Sequence, residues 1–149
     1  MISLLLAAAS LAPSPALQET FTWRETLDAI RVVETGAEPD EGRGAIGDNG
    51  NALGSYQIWK PFWTDAVERE PALAKGGYRR VLKDKAHSER IVRAYMARYN
   101  RDALRRLEAG QGTLADVLRT ARIHNGGPKG YRKDSTLPYA DKVRKELSR

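Results

Sequence analysis

Apolar and polar positions alternate along this chain with helical rather than strand periodicity. Trp23, Leu27, Ile30 and Glu34 fall at i, i+4, i+7 and i+11 and share one helical stripe. Thr22-Trp23-Arg24-Glu25 ahead of them is a capping box, and Gly36 is the expected stop. From Ala37 to Ser55 the chain turns dense in Gly, Asp and Asn, and Asp48-Asn49-Gly50-Asn51 is a hairpin signal. Ser55 to Trp59 leans towards β, and Pro61 suits the first turn of a helix over 61–70. After a turn region from Pro71 to Tyr78 comes the longest helical pattern, about 80–108, with Val92, Tyr95, Tyr99, Ala103 and Leu107 as its buried stripe. Arg90, Arg93, Arg101 and Arg105 lie off that stripe as a solvated basic face. Thr113-Leu114-Ala115-Asp116 opens a further helix with Leu114, Val117, Leu118 and Ala121 inward, ending at Asn125-Gly126-Gly127-Pro128. A last helix is expected over about 138–147. The sum is an α+β chain, mostly helical, with one small hairpin region between the first and second helices.

Composition narrows the class. The 149 residues match the usual size of one domain, and the 25 Lys and Arg against 19 Asp and Glu leave a net charge of +6. With no cysteine, disulfides, thiolate metal sites and cysteine nucleophiles are excluded. Residues 1–16 differ in kind. They carry no charged side chain, run apolar from Leu4 to Ala12, and end in Ser14-Pro15-Ala16, with small residues where a signal peptidase cuts. That apolar run is too short to span a bilayer. The expectation is a signal peptide over 1–16, a single domain over 17–149, and a secreted or periplasmic location.

Glu34 is the most informative position, because its phase puts a carboxyl on an apolar stripe in the last turn of a helix. Burial penalises the ionised form, and the negative end of the helix dipole repels an anion. A carboxyl kept protonated is what general-acid catalysis needs. A core-edge glutamate paired with an arginine is the structural alternative. Asp48, 14 residues on in a Gly/Asn-rich hairpin, is placed to stay ionised; Asp40 and Glu41 are its rivals without a hairpin to aim them. Two carboxyls whose surroundings push their protonation apart are the pattern of glycoside hydrolysis. A separation of ~5–5.5 Å leads to retention and ~6.5–9.5 Å to inversion.

At this point the motifs resemble a known family. Val33-Glu34-Thr35-Gly36, Gly47-Asp48-Asn49-Gly50, Gly54-Ser55-Tyr56-Gln57-Ile58 with Pro61-Phe62-Trp63, then Arg122-Ile123-His124-Asn125-Gly126-Gly127-Pro128 and Thr136-Leu137-Pro138-Tyr139 look, in order, like invertebrate-type (destabilase) lysozymes. The resemblance runs from about residue 23 to 143. It implies a lysozyme-like α+β fold that cleaves the β-1,4 link between N-acetylmuramic acid and N-acetylglucosamine in peptidoglycan, or chito-oligosaccharides. It implies Glu34 as general acid and then base, and Asp48 as nucleophile or oxocarbenium stabiliser. Tyr56 and Gln57 are implied cleft contacts, with His124 and Asn125 facing the same cleft. A proteinaceous lysozyme inhibitor is the implied protein partner, and no cofactor is implied. Animal members are cysteine-rich and this chain is not, so its framework must hold by packing. The interval from Asp48 to Gly54 is also about one residue shorter than the family pattern.

Rival readings remain at this level. E-T-G followed by G-x-x-Q-I also resembles lytic transglycosylases, which would use Glu34 alone. A non-catalytic wall-binding module would draw on the positive charge and on Trp23, Trp59, Trp63 and Tyr56. Interleaved charges and the lack of a recognition motif argue against specific nucleic-acid binding. His87 and His124 are too far apart for an H-E-x-x-H zinc site, and His87 is expected at the surface.

Overall fold

The computed structural model describes residues 19–36 and 39–149; the signal peptide expected over 1–16 lies outside them. The first helix, α1 (Trp23–Thr35), begins where the sequence places it. Thr22 accepts from the Glu25 backbone, and the Glu25 carboxylate accepts from the Thr22 backbone at 2.7 Å. Leu27 and Ile30 are buried, and Gly36 ends the helix at φ +76°, a conformation that favours glycine.

The hairpin region follows as a three-stranded antiparallel sheet, β1 (Ile46–Gly47), β2 (Ala52–Leu53) and β3 (Ile58–Trp59), in the order β1-β2-β3. Asp48 and Asn49, both at positive φ, form the 3-10 turn between β1 and β2, as the Asp-Asn-Gly run implied. Gly54 at φ +73° takes the next reversal, and a Cβ there would stand 2.0 Å from the Val81 carbonyl oxygen, so only glycine lets the sheet close on that segment. Next come α2 (Lys60–Arg69) and two 3-10 turns, at Pro71–Ala74 and Tyr78–Leu82.

The long helix expected over 80–108 is two. α3 (Lys85–Tyr99) starts late because the Asp84 side chain caps it, accepting from the His87 backbone at 2.8 Å. It stops at Asn100 (φ −146°), and α4 (Arg101–Glu108) begins at once. The cause is Asn100 itself, a buried amide that donates to Thr120 Oγ1 and accepts from Arg119, tying the break to α5 (Leu114–Gly126). Of the forecast stripe, Val92, Tyr95, Ala103 and Leu107 are buried across the break, and Tyr99 is half-buried. Leu114, expected inward, is exposed, since it occupies the first turn of α5 behind the Thr113–Asp116 capping box. The chain closes with α6 (Leu137–Leu147), which packs on both α1 and α5. The result is a mostly helical α+β fold in which α5 packs on α3, α4 and α6. No described helix is long and apolar enough to cross a membrane.

His87 corrects the surface expectation. It is 1% exposed, and neither ring nitrogen has a hydrogen-bond partner among the described residues. Polar neighbours in the sequence misled, because the first turn of α3 turns this side chain inward. Burial, and then the charge of Arg80, hold its protonation below the ordinary range. The folded state therefore binds fewer protons than the unfolded one, and stability is lost as pH falls through ~6.5 towards the depressed folded value. His87→Leu should remove that loss: urea unfolding at pH 7 and pH 5 should show a gap between variant and wild type that widens at the lower pH.

Candidate active site

Glu34 occupies the penultimate position of α1, and its side chain is 17% exposed. Burial at a helix end is what its phase implied. The partner is no arginine. The Tyr139 hydroxyl, in the first turn of α6, donates to Glu34 Oε1 at 2.6 Å, and His124 Nε2, near the end of α5, stands 3.3 Å from the same oxygen. Burial first, and then the charge of Glu34, push the Tyr139 hydroxyl well above its ordinary value, so it stays an O–H donor. His124 Nε2 also lies 3.0 Å from the Tyr56 carbonyl oxygen, which ties α5 to the turn between β2 and β3. The imidazole is boxed edge-on by Phe62 and faced by Tyr139.

A cleft of about 270 Å³ opens beside His124. Gln57, Trp59 and Pro61 line one side, and His124, Asn125 and Pro128 another. Trp59 is 45% exposed, an aromatic face of the kind that stacks on sugar rings. Gln57, at φ +46°, is fixed beneath the sheet by donating to the Gly54 carbonyl at 3.0 Å. Gly47 packs directly on the Gln57 amide, since a Cβ there would meet its Oε1 at 2.0 Å, and Gly47 carries Asp48. Thr35 Oγ1 joins the end of α1 to this region through the Ser55 carbonyl at 3.3 Å.

The residues expected at the site divide as follows. Glu34 and His124 are in contact, and Gln57, His124 and Asn125 line one cleft. Asp48 is exposed on the adjoining hairpin, with its carboxylate in no hydrogen bond or ion pair among the described residues. Tyr56 is a correction. Its side chain is fully buried and donates to Glu89 at 2.9 Å, so only its backbone carbonyl serves the site, and no ring surface is left for a sugar. Of the rival carboxylates, Glu41 is drawn into an ion pair with Lys85 at 3.2 Å. Sequence reasoning gave Tyr139 no role. The contact spans 105 positions, and its only trace was a Pro-Tyr pair at a helix start. No group of three or more metal-ligating side chains occurs among the described residues.

A carboxyl at the end of the first helix, a small antiparallel sheet after it and a helical body define the lysozyme-like α+β fold. The complex of Aeromonas hydrophila PliI with Meretrix lusoria lysozyme and the inhibitor-bound Meretrix lusoria lysozyme are similar to this chain, each with a TM-score of 0.61 and 24% identity over 87% of this chain and 93% of the other. Residues 26–146 match the Destabilase family model, and the chain belongs to that family. It is 32% identical to Lysozyme 1 of Crassostrea virginica over 120 residues, or 80% of this chain and 57% of that protein. To Invertebrate-type lysozyme 3 of Caenorhabditis elegans it is 30% identical over 119 residues, or 77% of this chain and 79% of that protein. The chain thus spans little more than half the length of the Crassostrea relative.

Proposed function

We propose that this protein is a peptidoglycan glycoside hydrolase, a lysozyme cleaving the β-1,4 bond between N-acetylmuramic acid and N-acetylglucosamine. The observation that carries the reading is the Glu34 carboxyl, mostly buried at the end of α1, with one oxygen held by Tyr139 and 3.3 Å from His124, which lines the cleft. Glu34 protonates the glycosidic oxygen as the C1–O bond breaks. Asp48, exposed and charged on the hairpin, stabilises the positive charge that develops at C1 or attacks it. Water completes the reaction, with Glu34 now taking a proton from it. Gln57 and Asn125 contact the chain of sugars, and Trp59 offers it an aromatic face. Membership of the destabilase family and similarity to proteins named lysozyme support the same reading.

Residues 1–16 act in this account as a signal peptide, 17–149 as one catalytic domain, and the site of action is outside the cytoplasm. A proteinaceous lysozyme inhibitor is the partner it adds, since the Meretrix lusoria relative is known in an inhibitor-bound form.

Product chemistry tests the reaction. Purified peptidoglycan digested with the protein should give muropeptides whose reducing ends carry the mass of one added water. 1,6-Anhydro ends in the mass spectrum would instead mean internal attack by the muramyl 6-hydroxyl, which is transglycosylation.

A further inference from the structure

The two oxygens of Glu34 are not equivalent. Oε1 receives the Tyr139 hydroxyl at 2.6 Å and lies 3.3 Å from His124 Nε2, whereas Oε2 makes no hydrogen bond among the described residues. The position of the His124 proton follows from its surroundings. Nε2 faces two acceptors, the Tyr56 carbonyl at 3.0 Å and Glu34 Oε1, so Nε2 must carry hydrogen. Nδ1 is enclosed without a partner, and a lone pair is cheaper to leave there than an N–H. The single Nε2–H is committed to the Tyr56 carbonyl, so the hydrogen-bond donor on Oε1 is the Tyr139 hydroxyl, with the His124 ring packed beside it.

We propose that Tyr139 is a positioning residue whose hydroxyl, braced by the His124 ring, holds Glu34 Oε1, so that the transferable proton resides on Oε2. The inference rests on the reading of Glu34 as the general acid. When Oε2–H passes its proton to the glycosidic oxygen and the C1–O bond breaks, the electron pair stays with the leaving sugar and Glu34 becomes a carboxylate. The Tyr139 donor stabilises that carboxylate without moving, because its ring faces His124, which is 3% exposed and boxed by Phe62. Among the described residues, the groups facing this carboxyl are His124 from α5 and Tyr139 from α6. On α1 itself the Arg31 guanidinium is turned to the Gly36 carbonyl at 3.1 Å.

Tyr139→Phe keeps the ring and deletes one donor. It should lower kcat by about 10- to 100-fold, the scale of a hydrogen bond to a charged group, with KM within about twofold. It should also move the alkaline limb of the kcat profile to higher pH, because the ionised carboxyl has lost a donor. A profile superimposable on wild type, with unchanged kcat, overturns the proposal. Should circular dichroism show Tyr139→Phe unfolded, the wild type decides by carbon-13 NMR. The Tyr139 Cζ shift should titrate with the midpoint of the Glu34 carboxyl carbon; a Tyr139 carbon that does not respond overturns the proposal. Failure of the hydrolase reading looks different. Turnover surviving in Glu34→Gln would remove the acid role, while the coupling between Tyr139 and Glu34 in the wild-type spectrum would remain.

Discussion

Glu34→Gln is expected to abolish turnover while leaving the fold and binding to insoluble peptidoglycan intact. The amide is isosteric, and its oxygen can take the place of Oε1, accepting from Tyr139 as the carboxyl does, with His124 packed beside it. The tie between α1, α5 and α6 is then kept. What the amide lacks is a proton to give. General-acid catalysis contributes about 10²–10⁴-fold, so a loss of that size is expected. Asp48→Asn should be the weaker lesion, because its carboxylate is exposed and supplies charge rather than a proton. Turbidity clearance of cell walls measures the rate, and sedimentation with walls measures retention. A wall-binding module would show no turnover in the wild type either, and Glu34→Gln would sediment identically. Lost retention together with lost turnover would mean that Glu34 holds the fold rather than the reaction.

Much of this site was legible because its signals are local. A capping box at Thr22, a stripe ending in Glu34 and a glycine with positive φ at position 36 fix where one carboxyl sits, and all three lie within fifteen residues. The Asp-Asn-Gly turn is likewise written in residues that tolerate left-handed backbone, and it appears where expected between two short strands. The break at Asn100 was not legible, since helical periodicity continues through it and its cause is a hydrogen bond to Thr120, twenty residues away. Tyr56 was misread for a related reason. A G-x-Y-Q-I strand marks the residues near a cleft but not which face each side chain takes, and Glu89 draws this hydroxyl away from it. Tyr139 is the furthest case, because the contact with Glu34 exists only once α6 docks across α1. Sequence pattern thus located the Glu34 carboxyl, and tertiary packing supplied the groups that touch it.

The largest expected effect on stability lies behind that site, at Glu89. Burial of this carboxylate would by itself raise its pKa, but hydrogen bonds from Arg24, Lys85 and Tyr56 outweigh it and carry the group down to about 2. The contacts are short: Arg24 reaches both oxygens at 2.9 and 2.7 Å, Tyr56 donates at 2.9 Å and Lys85 stands at 3.0 Å. One carboxylate therefore joins α1, α3 and the turn that carries Tyr56. An unfolded glutamate titrates near ~4.3, so the folded state holds its proton less tightly than the unfolded one. Its contribution is fully present above that value and is lost as pH falls through it towards about 2. The shift corresponds to about 3 kcal/mol, the scale of breaking a mostly buried charged pair. Glu89→Gln should thus lower the unfolding free energy by about 3 kcal/mol at pH 7, read from urea titrations with unchanged slope. The difference from wild type should shrink steadily below pH 4. A difference that stays constant down to pH 2.5 would mean that Glu89 contributes shape rather than charge, and that Tyr56 is held in place by packing alone.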